Sequence, residues 1–536
     1  MPPQDAHHPT LLSLPNELLV AIFQSPIFPS DALCKLATLS RRLHGLALPI
    51  YFSRSGLPEP SKSVSVRLRS DGADMLAALD MALFLTEIGD ITAVFPHPSC
   101  QSVLPLLPHV DRLSKFVSKF PSVKRATLEL DAYTSLCNTT GDDSALRAWS
   151  TAFGRLLNAL VERRCTELTV RYGGYLTRTF TLSTTTSAKQ AMWAMQRTFG
   201  YVPSLSGKDW EFRRVASQGR ESTFVSAAPR SATLTTLHIH SAVLVTLPCL
   251  NWTLSALRQG AITSLTLAKI ALDHWGPVLE LIARAAPRLA FVSLRELEGI
   301  SQSDIFTFLG RLPRLASLDI WDVRARRAPA PVHWKWTKAH APKLPALTSL
   351  LAPPDFLLPA LRTSNLPFQL NSLCINLHNT SNYNYNRLQI VSRELGTICQ
   401  LLASRLTRSP RLRICLALVL STERIMLDLD ALPLLSGDAA EYFSHVSSLT
   451  LDVFPHSSVD VARWVREVCP SAEEVVLSIR THTTTENSKS AANIKEAFAK
   501  AFSTDTMVKK LSVDGFQFQL GGRRDGGDGN VTGTLY

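Results

Sequence analysis

Two different spacings of apolar residues divide this chain. Near its start Leu18 and Ile22 are four apart, as are Leu19 and Phe23, which is the period of a helix face. Pro15 suits the first turn of that helix, where its missing N–H has no intrahelical partner anyway, and Glu17 sets a negative charge at the positive end of the dipole. A second helix is expected from a cap at Ser30 or Asp31, because Leu33, Leu36, Ala37, Ser40, Leu43 and Ala47 recur at steps of three and four. The apolar surface of the first helix is too broad for a lone helix in water. The second helix can cover it only in part.

Past residue 55 the pattern turns to short alternating runs of strand type. They include "FPSVKRATLELD" (120–131), "CTELTVRY" (165–172), "LTTLHIHS" (234–241), "ITSLTLAKI" (262–270), "PRLAFVSLREL" (287–297), "PRLASLDIWDV" (313–323), "LNSLCINLH" (370–378) and "VSSLTLDVF" (446–454). From one centre to the next, much of the spacing lies between about 23 and 36 residues, a period that marks stacked repeats. Helix starts fall between the runs at Asp273, at Ser301 with Asp304 three positions on, and at Ser458. A strand with a returning helix buries neither face alone, so such units must stack into a curved parallel sheet lined by helices. This resembles the leucine-rich-repeat architecture in irregular form. The expected class is α/β, a leucine-rich-repeat-like solenoid over 111–520, with a helical connector at 55–110 and disordered ends at 1–10 and 521–536. A conventional α/β domain with evenly spaced βαβ units remains the alternative, though without a glycine-rich turn to cradle phosphate. Two stretches break the repeat: 173–230, with no acid between Glu167 and Asp209, and 323–344.

Composition narrows the function classes. The chain has 536 residues, 45% hydrophobic and 19% charged, enough for a large core. Its net charge of +12 would draw acidic partners weakly, but the basic residues are scattered among 44 acids, which argues against a nucleic-acid partner. Nine cysteines, an odd number with no C-x-x-C pair, read as reduced thiols. No basic leader and no run of about 18 apolar residues occurs, so no membrane role and a cytoplasmic or nuclear location are expected. The glycosylation triplets at Asn138, Asn251, Asn379 and Asn530 are then chance matches.

The first 54 residues carry a more specific signal. "LLSLPNELLVAIFQSPIFPSDALCKLATLSRRLHGLALPIYFSR" (11–54) resembles the F-box motif, with its leucine-proline-x-glutamate-leucine start, isoleucine-phenylalanine pair, aspartate-led second helix, serine-arginine-arginine and proline-isoleucine-tyrosine end. The resemblance implies docking on the Skp-type adaptor subunit of a cullin-based ubiquitin ligase. The implied contact set is Leu14, Pro15, Leu18, Leu19, Ile22, Leu33, Leu36 and Leu43, some of which must pack the motif's own core. One departure is the link "QSPIFPSD" (24–31), whose Pro26 and Pro29 replace the usual leucine-centred turn and put the helix-to-helix geometry in question.

Catalytic signatures are lacking: the chain has no H-E-x-x-H, G-x-S-x-G, Walker A or EF-hand pattern. His238 and His240 share a strand face, but no third ligand stands at metal spacing, and Asp428 and Asp430 share a face with no sign of a pocket. No cofactor is expected. Residues 323–354 contain no acid and hold Arg324, Arg326, Arg327, Lys335, Lys338 and Lys343 around Trp334 and Trp336. That segment is either a solvated loop or a grip for an acidic peptide, a phosphate or single-stranded nucleic acid. The expected function is a non-enzymatic substrate adaptor, held by the Skp subunit and through it a cullin, with an unidentified protein substrate on the repeats. A repeat scaffold whose helical N-terminus merely caps the array is the alternative, and an enzyme assembled from distant residues comes third.

Overall fold

The computed structural model describes residues 11–69, 75–96, 104–130, 143–173, 180–184, 210–214, 233–246, 249–272, 275–324, 342–362, 370–378, 397–398, 400–401, 413–419, 446–453, 471–479, 510–513 and 516–519. The chain forms two compact units, 1–265 and 266–536. The ends expected to be disordered, the helix expected at Ser458, Asp428, Asp430 and most of 323–344 lie outside the described residues.

The first unit opens with three helices, α1 (Asn16–Gln24), α2 (Ser30–Ala37) and α3 (Arg41–Arg54). The second helix expected to run on through Ala47 is thus two helices. Its break follows from hydroxyl chemistry: the Thr38 hydroxyl donates to the Lys35 carbonyl at 2.7 Å and closes α2. Ser40 then turns extended (φ −158°, ψ 156°), and its Oγ accepts from the Leu43 N–H as the cap of α3. A residue that fits the apolar spacing therefore stops the helix. Leu19, Phe23, Leu33, Ala37, Leu43, Ala47, Leu48 and Phe52 are buried and form the core that the three helices share.

The proline-bearing link between α1 and α2 is held from α3. The Arg54 guanidinium donates to the carbonyls of Phe28 (2.6 Å), Phe23 (2.7 Å) and Ser25 (2.5 Å), and the Phe23 and Phe28 rings meet at 5.5 Å. Three carbonyls left over by the end of α1 and the two prolines so acquire one charged donor. At the other end of α1 the Arg42 side chain bonds Asn16 Oδ1 (2.8 Å) and the Leu14 carbonyl (2.5 Å).

A parallel sheet follows, built from β1 (Ser63–Arg67), β2 (Ile88–Val94), β3 (Val123–Glu129), β4 (Glu167–Arg171) and β7 (Thr236–His240) in that order. Between them run α4 (Met75–Met81), α5 (Leu107–Ser118) and α6 (Asp143–Glu162), and α7 (Leu250–Gln259) follows β7. The expected helical connector at 55–110 is corrected here: it contains β1 and β2, and the sheet begins at residue 63. Val64 and Val66 alternate over only five residues, a signal too short to stand out beside helix-favouring neighbours. β4 pairs directly with β7, so 173–230 interrupts the sheet, and within it β5 (Phe180–Thr184) and β6 (Trp210–Arg214) pair antiparallel with each other.

Residues 266–536 take in most of β8 (Ser264–Ala271), then α8 (Trp275–Ala285), β9 (Phe291–Glu298), α9 (Gln302–Leu309), β10 (Ser317–Arg324), β11 (Ser349–Ala352) and α10 (Pro354–Arg362). Five strands continue in parallel register from β11: β12 (Ser372–His378), β13 (Arg413–Val419), β14 (Val446–Val453), β15 (Glu474–Ile479) and β16 (Lys510–Val513). The last strand, β17 (Phe516–Gln519), returns antiparallel. The protein is therefore α/β, a parallel sheet with outer helices in each unit. Ser301 and Asp304 close a reciprocal capping box at the start of α9, as their spacing predicts.

Three strands repeat a feature that alternation does not predict. In β8, β9 and β10 the sixth residue is left-handed: Lys269 (φ 57°), Glu296 (φ 49°) and Asp322 (φ 45°). Strict alternation would aim these charges at the buried side, after Leu265 and Leu267, Val292 and Leu294, or Leu318 and Ile320. The left-handed residue skips one step, and Ile270, Leu297 and Val323 take the buried place instead.

Candidate functional site

Helix α1 presents two unlike sides. Leu19 and Phe23 are wholly buried, whereas Leu18 is 53% and Ile22 38% exposed. Of the eight sequence-predicted partner residues, Pro15 is also exposed, and Leu14 and Leu36 are half-buried. Leu19, Leu33 and Leu43 are corrected: they are interior, with at most 1% of their surface exposed, and cannot meet a partner while the helices stay folded. The reason is angular. One residue along a helix turns the side chain by about 100°, enough to carry Leu19 into the core that α3 lines while Leu18 stays in water.

The sequence reading missed two exposed residues beside this set. Ile27, in the proline link, is 90% exposed, and Leu39, in the turn between α2 and α3, is 69% exposed. A signal for Ile27 was present, since an apolar residue between Pro26 and Pro29 has no periodic partner with which to be buried. Leu18 and Ile22, one turn apart on α1, with Pro15 and Ile27 also exposed, leave apolar area in water that a partner can remove.

A second contact ties the helices to the first strand-helix unit. His44 Nδ1 lies 3.2 Å from the Ala37 carbonyl and its Nε2 accepts from the Leu83 N–H at 3.1 Å. A carbonyl can only accept and an amide N–H can only donate, so the imidazole is neutral with its proton on Nδ1. Phe84 packs edge-on against His44 (6.1 Å) and Phe52 (6.2 Å).

On the sheet of the first unit, one face carries the buried Val, Ile and Leu while the other pairs its charges from strand to strand. Arg125 Nε donates to Asp90 Oδ1 at 2.7 Å, and that carboxylate, with Glu167 on the strand at the other side, raises the guanidinium above its ordinary value. Arg171 meets Glu129 at 2.9 Å, and His238 Nε2 lies 3.3 Å from Glu167 Oε1. The His238 and His240 rings share this face as predicted, 6.3 Å apart, but no group of three metal-ligating residues occurs among the described residues. Cys34, Cys165, Cys249 and Cys374 are free thiols; burial pushes Cys165 up to about 12 and Cys249 up as well, which favours the protonated thiol in both.

In the second unit the equivalent face holds Ser293 and Arg295 of β9 in register with Asp319 and Trp321 of β10. Asp319 is buried, and its Oδ2 accepts from Ser293 Oγ (2.8 Å) and Arg295 Nε (2.7 Å). Among the described residues no helix is long and apolar enough to cross a membrane. No protein-family model matches the chain, and no curated protein matches it.

Proposed function

We propose that this protein is a substrate adaptor of a Skp/cullin/F-box-type ubiquitin ligase. On this reading residues 11–54 are an F-box-like motif that docks on the Skp-type subunit, and the strand-helix units form an irregular leucine-rich-repeat-like solenoid that holds a protein substrate. The observation that carries it is the split surface of α1: Leu18 and Ile22 stand in water, with Pro15 and Ile27 also exposed, while Leu19 and Phe23 complete the three-helix core. A helix that only capped the array would turn its apolar residues inward and leave none for a partner. The second reading, a scaffold with a helical cap, draws support from the His44, Leu83 and Phe84 contacts, which fasten the helices to the first unit.

Co-purification of the full chain with a Skp-type subunit separates the two. The adaptor reading expects a stable complex that Leu18→Asp abolishes while the circular dichroism spectrum and melting temperature stay unchanged. The scaffold reading expects no complex with either chain.

A further inference from the structure

The nine cysteines are scattered along the sequence, but parallel register brings two of them together. β12 and β13 align so that Cys374 and Cys415 are Cα partners. Register partners in a parallel pair lie on the same side of the sheet, with their strands about 4.8 Å apart. A disulfide needs Cα atoms about 4.4 to 6.8 Å apart, so this placement is within reach of one. Cys34, in α2, Cys165, just before β4, and Cys249, just before α7, are set in separate elements.

The placement favours a reversible link over a permanent one. Cys374 is half-buried, whereas Cys165 and Cys249 are buried, so a small reagent can reach it. The Cβ atoms of a disulfide sit about 3.8 Å apart, closer than the strand spacing, so the bond must draw β12 and β13 together, and strained disulfides are the easily reduced ones. On its other side Cys415 adjoins a break in register: Ile414 pairs with Val446 and Cys415 with Ser448, which leaves one extra residue on β14. A bulge interrupts the ladder, so β13 is held less tightly from that side. Arg413, two positions before Cys415 and the partner of Ser372, shares that side of the sheet, and a cation near a thiol favours the attacking thiolate.

We infer that Cys374 and Cys415 form a redox-sensitive pair, oxidised to a disulfide between β12 and β13 by a low-molecular-weight disulfide such as oxidised glutathione. One protein thiolate attacks the glutathione disulfide, forms a mixed disulfide and releases one glutathione. The second protein thiolate then attacks the protein sulfur of that mixed disulfide, closes the bond between Cys374 and Cys415 and releases the second glutathione. The pair gives up two electrons, its two protons pass to the released glutathione thiolates, and the oxidant becomes two thiols. Neighbouring positions favour this chemistry over a metal site. Leu351 and Ser448 flank the pair in register, with Ser372 and Arg413 in the row before and Asn376 and Ala417 in the row after, so none of the adjoining positions supplies a third zinc ligand. The inference does not depend on the adaptor reading.

The test equilibrates the folded full chain with glutathione over a series of reduced-to-oxidised ratios, quenches with acid, alkylates the remaining thiols after unfolding and maps the peptides by mass. The expected product is a cross-linked peptide pair holding Cys374 and Cys415, two hydrogens lighter than its parts, which grows as the ratio falls and disappears again with dithiothreitol. Cys165 and Cys249 stay alkylated throughout, because burial shields them from the oxidant. Cys415→Ser removes the second step and leaves glutathione on Cys374; the wild-type map stands whether or not that variant folds. Four outcomes would each overturn the proposal: a pair that remains alkylated at every ratio, glutathione retained on wild-type Cys374 while Cys415 is still a thiol, cross-links spread over other cysteines in place of this one, or a link that forms only after unfolding in urea.

Discussion

Leu18 and Leu19 are adjacent on α1 and identical in chemistry, so truncating each to Ala isolates position from composition. Leu19→Ala removes three carbons from a site with no exposed surface. At about 0.8 kcal/mol per methylene the transfer loss is roughly 2.4 kcal/mol, and the cavity left behind raises it to about 3 to 5 kcal/mol. Leu18 is 53% exposed, so the same deletion gives up less than half of that transfer, about 1 kcal/mol or less. Amide hydrogen exchange of the full chain, followed over residues 14–54, reads the difference locally: Leu19→Ala speeds exchange throughout the three helices and Leu18→Ala barely alters it. In binding the order reverses, since a central hot spot is worth about 2 kcal/mol, roughly a thirtyfold loss of Skp affinity for Leu18→Ala. Equal loss of protection in both variants would mean that Leu18 is buried in solution and would end the argument from exposure. Unchanged Skp binding by Leu18→Ala would end the assignment of α1 as the docking surface.

Other outcomes follow from the same geometry. Arg54→Met should destabilise the link between α1 and α2 by about 2 kcal/mol, because half-buried carbonyls at Phe23, Ser25 and Phe28 lose their charged donor; faster exchange confined to residues 23–29 is the expected sign. Lys269→Gly should leave the melting temperature unchanged or raised, by at most about 1 kcal/mol of stability, whereas Lys269→Val should lower it by about 1 to 2 kcal/mol, because a branched side chain resists the left-handed backbone. Cys165 stays protonated in the fold up to about 12 but titrates near 9.0 once unfolded, so its contribution is complete below pH 9 and fades as pH climbs toward 12. Urea midpoints at pH 8 and 10.5 should therefore fall less in Cys165→Ala than in wild type.

How much of this was legible beforehand depended on the range of the interaction. The strand runs from 120 onward, the capping box at Ser301 and Asp304, the interruption at 173–230 and the shared face of His238 and His240 are set by neighbours within a few residues, and they could be read from the string. β1 and β2 were misread as part of a helical connector because β1 (SVSVR) holds only two apolar residues and β2 (IGDITAV) carries Gly89 and Asp90, which strands disfavour.

What the amino-acid order determined alone was local: where helices start, which runs alternate, and that the first helix has more apolar surface than one neighbour can hide. Tertiary structure decided which side of that helix is hidden. Leu18 and Leu19 are interchangeable in any spacing argument, and only the path of α3 buries one and leaves the other in water. The same holds for the charges at positions 269, 296 and 322, where a left-handed step takes residues that fall on the core side of the alternation out of the buried apolar row. Arg295 and Asp319, 24 residues apart, form a clamp only because parallel register sets their strands side by side. Burial and pairing are sums over distant contacts, and a linear pattern does not contain them.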